Sequence, residues 1–326
     1  MHYNTAPRIG RPLSAIGLGT WQLGADWGDV SETVAADILA ASVVSGVTVF
    51  DTADVYGDGR SERVIGAFLT ARPELDIFVA TKMGRRVEQR DEFYTLENFR
   101  AWTDRSRANL GVDTLDLVQL HCPPTETIER DQVFDDLDTL VADGAIARYG
   151  VSVETVDQAL AAIARPNVAS VQIILNAFRL KPLDAVLPAA IDAGVAIIAR
   201  VPLASGLLSG RYNKDTVFAA DDHRTYNRHG EAFDVGETFS GVDFEQGVAA
   251  AQEFARLAST NGLTPPVAAL AWLANLPGVT TVIPGARTVT QAKWNASAGS
   301  VDDLDITPQV QDIYDRYFRE AVHGRW

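Results

Sequence analysis

Short apolar runs alternate with longer, mixed stretches along almost the whole chain. Leu13–Trp21, Gly46–Phe50, residues 76–81, residues 115–120, Ala145–Ser152, Val168–Leu175, Val195–Arg200 and Val279–Ile283 each read as a short strand. Between them, residues 31–45 repeat apolar positions at helical spacing (Val34, Ile38, Ala41), with Ser31 placed to cap the first turn. Helices are predicted over about 61–71, 96–110, 127–142, 154–164 and 183–193, with Gly111, Gly144 and Pro166 as stops. Residues 1–12 are polar, carry Pro7, Gly10 and Pro12, and predict a hairpin or cap. The rhythm breaks at 209–243, a polar stretch with no period, of the kind that is usually functional or mobile. Helices return at about 245–260, 265–275, 288–298 and 308–320.

Eight apolar strands separated by helices predict parallel strands covered on both faces. In a chain of 326 residues they fit one closed α/β barrel of the (β/α)8 TIM type, with an N-terminal hairpin cap, a long loop after the seventh strand and extra C-terminal helices. A doubly wound open sheet is the alternative. No linker or low-complexity tract divides the chain, so residues 1–326 are expected to form a single domain.

Composition narrows the function. A net charge of −15 disfavours nucleic acid and anionic membrane surfaces, though not one local phosphate pocket. One cysteine, Cys122, rules out an intrachain disulfide. Met1–Arg8 has no long apolar segment, and no run approaches the roughly 18 apolar residues of a membrane span. A cytoplasmic protein without secretory signal is expected. The oligomeric state is open, a monomer being compatible.

Candidate chemistry gathers at the strand ends. Asp51, Lys82 and His121 follow the second, third and fourth strands, and Tyr56 lies in a polar loop with Gly57 and Gly59. In a barrel these ends form one rim, with neighbouring strands about 4.8 Å apart. The set suits proton donation to a carbonyl. An adjacent lysine would lower the tyrosine's pKa, an aspartate would hold the lysine, and a histidine would orient the substrate oxygen. Singly, each has a bland reading: a turn aspartate, a packed or surface tyrosine, a solvated lysine, a structural histidine. Their joint placement carries the functional one.

A second group points to phosphate. Gly17-Leu-Gly-Thr-Trp-Gln22 lacks the third glycine of a dinucleotide fingerprint. Val282-Ile-Pro-Gly-Ala-Arg-Thr288, opening a helix, and Pro202-Leu-Ala-Ser-Gly-Leu-Leu-Ser-Gly210 are natural phosphate loops, with ordinary βα turns as the alternative. His223 and His229 are expected to be solvated, and their spacing matches no metal-ligand motif.

In order along the chain, Gly19-Thr20-Trp21, Asp51-Thr-Ala-Asp-Val-Tyr-Gly57 with Ser61-Glu62, Ala80-Thr-Lys82, Leu120-His121, Tyr149-Gly-Val-Ser152, Pro202–Gly210 and Ile283-Pro-Gly-Ala-Arg287 resemble the aldo-keto reductase superfamily. The nearest flavour is the bacterial general-reductase branch related to the potassium channel β subunits. The resemblance implies a (β/α)8 oxidoreductase using NADP(H), with NAD(H) as a second option, on a small carbonyl or alcohol substrate. It implies a catalytic tetrad of Asp51, Tyr56, Lys82 and His121. It places the cofactor's carboxamide near Ser152 and Gln172, its pyrophosphate at Leu203, Ser205 and Leu207, and its 2′-phosphate at Ala286, Arg287 and Thr288. Gln291 and Asn295 fall near the adenine. Thr20 and Trp21 belong to the same region, and Trp21 with Trp27 implies an aromatic-lined substrate pocket.

Three positions depart from the pattern: Val153 where asparagine is frequent, Arg200 where an aromatic often stacks on the nicotinamide, and Gly285 where some members carry lysine. Arg200 would stack, reach a phosphate or form a rim ion pair, while Arg287 would take over the 2′-phosphate. A nucleotide-sensing binding protein with little turnover is the competing function. A metal-dependent barrel hydrolase or isomerase would need a ligand set that the sequence does not offer.

Overall fold

The computed structural model describes residues 1–24 and 30–326. Its centre is one parallel sheet of Leu18–Gly19 and Val49–Asp51, Phe78–Met83 and Leu117–His121, Tyr149–Ser152 and Val168–Ile174, Ala196–Arg200 and Val279–Val282. An antiparallel hairpin, Tyr3–Thr5 (β1) with Pro12–Ser14 (β2), precedes them, so the eight are β3 to β10 in that order. Each pairs with its neighbours in sequence. The ends meet as well: parallel bridges join Ile16 to Val282 and Gly19 to Gly285, and the Gly19 N–H donates to Pro284 O at 3.0 Å. The sheet therefore closes into a (β/α)8 barrel. Closure requires glycine at this seam, because a Cβ on Gly19 would stand 2.8 Å from Ile283 O.

Two apolar layers follow from the alternation of side chains along a strand. The barrel interior holds Val49, Phe78, Ala80, Leu117, Ala169, Ala196, Ile198 and Ile283, joined by Ala6, Ile9 and Leu13 of the hairpin. The hairpin thus plugs the end of the barrel opposite the strands' C-termini. The second layer lies between sheet and helices and contains most of the remaining core.

The expected elements shift in detail for local reasons. Of the stretch 13–21, Leu18–Gly19 forms the barrel strand and Ile16 adds a bridge to Val282; Leu13 and Ser14 belong to the hairpin, and Trp21 starts a 3-10 turn. Ser31 does cap its helix, accepting from the Val34 N–H at 3.3 Å, but Val34 itself is exposed, and Ala35, Ile38 and Leu39 form the buried face. The helix expected over 127–142 is two, Thr125–Glu129 and Asp131–Ala142. Arg130 between them is extended, and its guanidinium donates to Asp91 Oδ2 at 2.7 Å and Tyr94 O at 2.6 Å. Residues 209–243 contain no strand, yet they are tied down: Tyr212, Phe218, Phe239 and Phe244 form a ring cluster, and Asn176 donates to Ser240 Oγ at 2.7 Å. Among the described residues no helix is long and apolar enough to cross a membrane.

Candidate active site

Strand register brings the first three residues together. Asp51 ends β4 opposite Ala80 of β5, Lys82 faces Gln119 of β6, and His121 ends β6 opposite Ser152. Lys82 is fully buried, and an ammonium in such a place must be paired. Its Nζ donates to Asp51 Oδ1 at 2.6 Å, to Thr52 O at 2.8 Å and to Tyr56 Oη at 3.4 Å. Gln172 Nε2 donates to the other oxygen of Asp51 at 2.7 Å, so the carboxylate is fixed from two sides. The Tyr56 ring packs edge-on to His121, centroids 6.0 Å apart, and stacks on Trp21 at the same distance.

Burial decides the protonation states. It works against the Lys82 ammonium, but Asp51 and Tyr56 outweigh it and the net shift is upward, so Lys82 stays charged. Burial pushes the Tyr56 phenol up; Lys82 pulls it down without prevailing, and Asp51 and Glu237 add to the rise. This corrects the expectation of a net lowering by the lysine: Tyr56 is held as the neutral phenol. His121 is driven well below its ordinary value by burial and by Arg85, Lys82 and Arg200, so its imidazole is neutral. Its Nδ1 is buried with no partner among the described residues. Close by, Asp54 is buried with one carboxyl oxygen unpartnered; burial and Glu62 raise it to about 7.

The cluster forms one wall of a cavity of about 290 Å³. Of the sequence-predicted residues, Thr20, Trp21, Asp51, Tyr56, His121, Gln172, Arg200, Leu203, Ser205, Gly285, Arg287 and Gln291 line it. Lys82, Ser152, Leu207, Ala286, Thr288 and Asn295 do not. Ser152 is buried with its hydroxyl 3.5 Å from Cys122 Sγ; Leu207 packs its side chain on Gly247; Ala286 is buried; Asn295 donates to Gly285 O at 3.0 Å. Trp27 lies outside the described residues. His223 is buried rather than solvated, 5.7 Å from the Trp21 ring, and burial lowers it to about 4. His229 is exposed as expected.

The far end of the cavity lies between a strained loop and a helix N-terminus. Val201, Ala204 and Ser205 all hold φ near +50°, beside Gly206 at +93°. Three non-glycine residues in the left-handed region within one loop mark a functional turn. At the opposite side, Thr288 caps the helix Val289–Ser297 by accepting from Gln291 N–H at 3.1 Å, and Gln291 accepts from Arg287 N–H at 2.8 Å. The Arg287 side chain stands at this helix N-terminus.

The family model for the Aldo/keto reductase family matches residues 15–312. The chain belongs to the aldo/keto reductase family. It is 32% identical to an uncharacterized oxidoreductase of Mycobacterium tuberculosis, covering 100% of this chain and 96% of that one. It is 28% identical to the aldo-keto reductase yakc [NADP(+)] of Schizosaccharomyces pombe, over 96% and 91% of the two chains. Among solved structures it resembles the glycerol dehydrogenase AKR11B4 of Gluconobacter oxydans, with a TM-score of 0.77 and 28% identity over 99% and 97% of the chains.

In this aldo/keto reductase two of the three departures have structural outcomes. Arg200 takes the ion-pair option: its Nη2 lies 2.9 Å from Glu154 Oε2 and donates to Val153 O at 3.2 Å, while Nη1 is 3.6 Å from Glu237 Oε1. Glu237 also accepts from Arg85 Nη1 at 3.0 Å. Despite burial, the two arginines hold the Glu237 carboxyl below its ordinary range, whereas burial pushes Glu154 up. A side chain at Gly285 would have to push aside Gln22, whose Oε1 lies 2.2 Å from where a Cβ would stand. Cys122, Glu154 and Glu237 bring ligand atoms within 4.8 Å of one another, but the Arg200 guanidinium already lies 3.6 Å from Cys122 Sγ and supplies the positive charge.

Sequence reasoning missed Arg85, Glu154 and Glu237. Arg85 carried a faint signal, three residues beyond Lys82 on the same strand-end loop. Glu237 carried none, lying in the aperiodic stretch.

Proposed function

We propose that this protein is an NADP(H)-dependent oxidoreductase that reduces aldehydes or ketones to alcohols, reversibly, with Tyr56 as the acid in reduction and the base in oxidation. The carrying observation is the chain of contacts from Tyr56 Oη to Lys82 Nζ at 3.4 Å and on to Asp51 at 2.6 Å, set in a cavity wall beside a neutral His121. A dinucleotide fits the donor set: the left-handed loop after β9 and the capped helix with Arg287 present N–H groups and a guanidinium to phosphates. The likeness to the aldo-keto reductase yakc [NADP(+)] of Schizosaccharomyces pombe supports NADP(H). When bound, NADPH supplies the hydride.

The chain's own residues do the rest. His121, as neutral imidazole, orients the carbonyl oxygen by hydrogen bonding. Tyr56 gives that oxygen its proton, and the adjacent Lys82 ammonium stabilises the phenolate left behind. Asp51 and Gln172 keep Lys82 where it is needed. Trp21, stacked on Tyr56 and near Phe233 at 6.2 Å, helps exclude water from the reacting end. Arg287 favours NADPH over NADH through the 2′-phosphate.

A protein that only senses the nucleotide is the competing reading, and the complete tetrad favours the enzyme. Loss of NADPH absorbance with an aldehyde panel, for wild type beside Tyr56→Phe, tests this. Turnover by wild type alone is expected. Tight cofactor binding without turnover on any carbonyl or alcohol would replace the enzyme by the sensor.

A further inference from the structure

The cavity wall facing Tyr56 and His121 carries an ion pair that the tetrad does not use. Arg85 leaves the rim just after β5, and Glu237 arrives from the long loop after β9. Both line the cavity, with side-chain exposures of 23% and 10%. Arg85 spends one N–H on Glu237 Oε1 at 3.0 Å. Its other N–H groups meet no acceptor among the described residues, although a guanidinium has five donors. Resting on the reductase reading above, we propose that Arg85 and Glu237 form a substrate-selecting pair that favours carbonyl compounds bearing a hydroxyl on the carbon next to the carbonyl.

The chemistry singles out that class. A hydroxyl both accepts and donates, so it takes a hydrogen bond from Arg85 and gives one to Glu237. A carboxylate next to the carbonyl would satisfy Arg85 but meet the Glu237 charge. An ammonium would meet Arg85. An unsubstituted aldehyde would displace water from the pair and return nothing, leaving charged groups short of partners. Sites built to hydrogen-bond a substrate hydroxyl discriminate against the analogue lacking it for this reason. The pair is mostly buried, with 23% and 10% of the two side chains exposed, and keeps some contact with water in the cavity, so the discrimination is moderate.

The competing role for the pair is to tie the long loop to the rim, which Glu237 does in any case through its backbone, its carbonyl accepting from Ser205 Oγ at 3.1 Å. The two roles separate in the ratio of kcat/KM for 2-hydroxypropanal to that for propanal. Arg85→Met should lower this ratio about 10- to 100-fold, the effect of one to two hydrogen bonds to a charged group, mainly through KM. Glu237→Gln, nearly isosteric, should lower it by less and guards against misfolding of the first variant. The NADPH Kd, read by fluorescence quenching, should move less than the ratio. An equal fall for both substrates, or a Kd rising in step with the losses, means the pair only holds the loop and overturns the proposal. Wild-type turnover of both substrates with an unchanged ratio in the variants overturns it too while leaving the reductase intact. Turnover of neither substrate by wild type overturns both.

Discussion

Two charged groups share the barrel's open end, and they are built differently. The inner one, Asp51, Tyr56, Lys82 and His121, comes from three adjacent strands and one short loop. Strand register sets the spacing of Asp51, Lys82 and His121, and one buried ammonium is matched by one buried carboxylate at 2.6 Å. The outer one, Arg85, Glu154, Arg200 and Glu237, comes from four separate segments, including a loop of some thirty-five residues. Its two cations and two anions interlock at 2.9 to 3.6 Å. The inner group holds Lys82 charged and Tyr56 and His121 neutral. The outer one gathers charge where the long loop reaches the cavity wall. A rigid scaffold suits the first, and an element that docks from elsewhere suits the second.

The comparison breaks most sharply at Lys82. Lys82→Met leaves the buried Asp51 without its cation, and stability in urea should fall by about 3–5 kcal/mol along with loss of turnover. A small loss would mean the inner group is more solvated than its contacts indicate. Next comes the cofactor end. Arg287→Ala should raise the NADPH Kd about 10- to 100-fold, as expected for removing hydrogen bonds to a charged phosphate, and leave the NADH Kd nearly as it was. Equal effects on both cofactors would remove Arg287 from the 2′-phosphate.

A pH-dependent effect belongs to Asp54, behind the inner group. Its folded pKa, about 7, lies above the ordinary 3.8. Between those values the folded state keeps a proton that the unfolded chain has released. Its contribution is therefore largest below about pH 4 and is lost as pH rises toward 7, with a slope of at most ~1.4 kcal/mol per pH unit. Asp54→Asn cannot ionise. Plotting Tm against pH for both proteins should show the variant gaining on wild type through this window; parallel curves would show that Asp54 does not titrate there.

The fold was legible because its period is. Short runs of two to seven residues, each followed by a helix, have few solutions beyond a barrel, and the glycines at 17 and 19 let the first and last strands touch. The inner group was legible for the same reason: residues at equivalent strand ends must share a rim. What the sequence could not show was competition for partners. Gln172 serves Asp51 instead of standing free, Ser205 gives its hydroxyl to Glu237 O, and Arg200 spends its guanidinium on Glu154. Those choices depend on a loop whose path is set by Tyr212, Phe218, Phe239 and Phe244 packing together, residues with no common period. The sign of the Tyr56 shift was missed likewise, because burial is not a property of neighbours in sequence.

The most direct measurement is a single turnover. Wild type and Tyr56→Phe, each preloaded with NADPH, are mixed with excess aldehyde, and the decay of cofactor absorbance is followed. If Tyr56 is the proton donor, the variant should bind NADPH as wild type does and react about 10²- to 10⁴-fold more slowly. A variant that reacts at the wild-type rate would contradict that assignment, and with it the role given to Lys82 and Asp51.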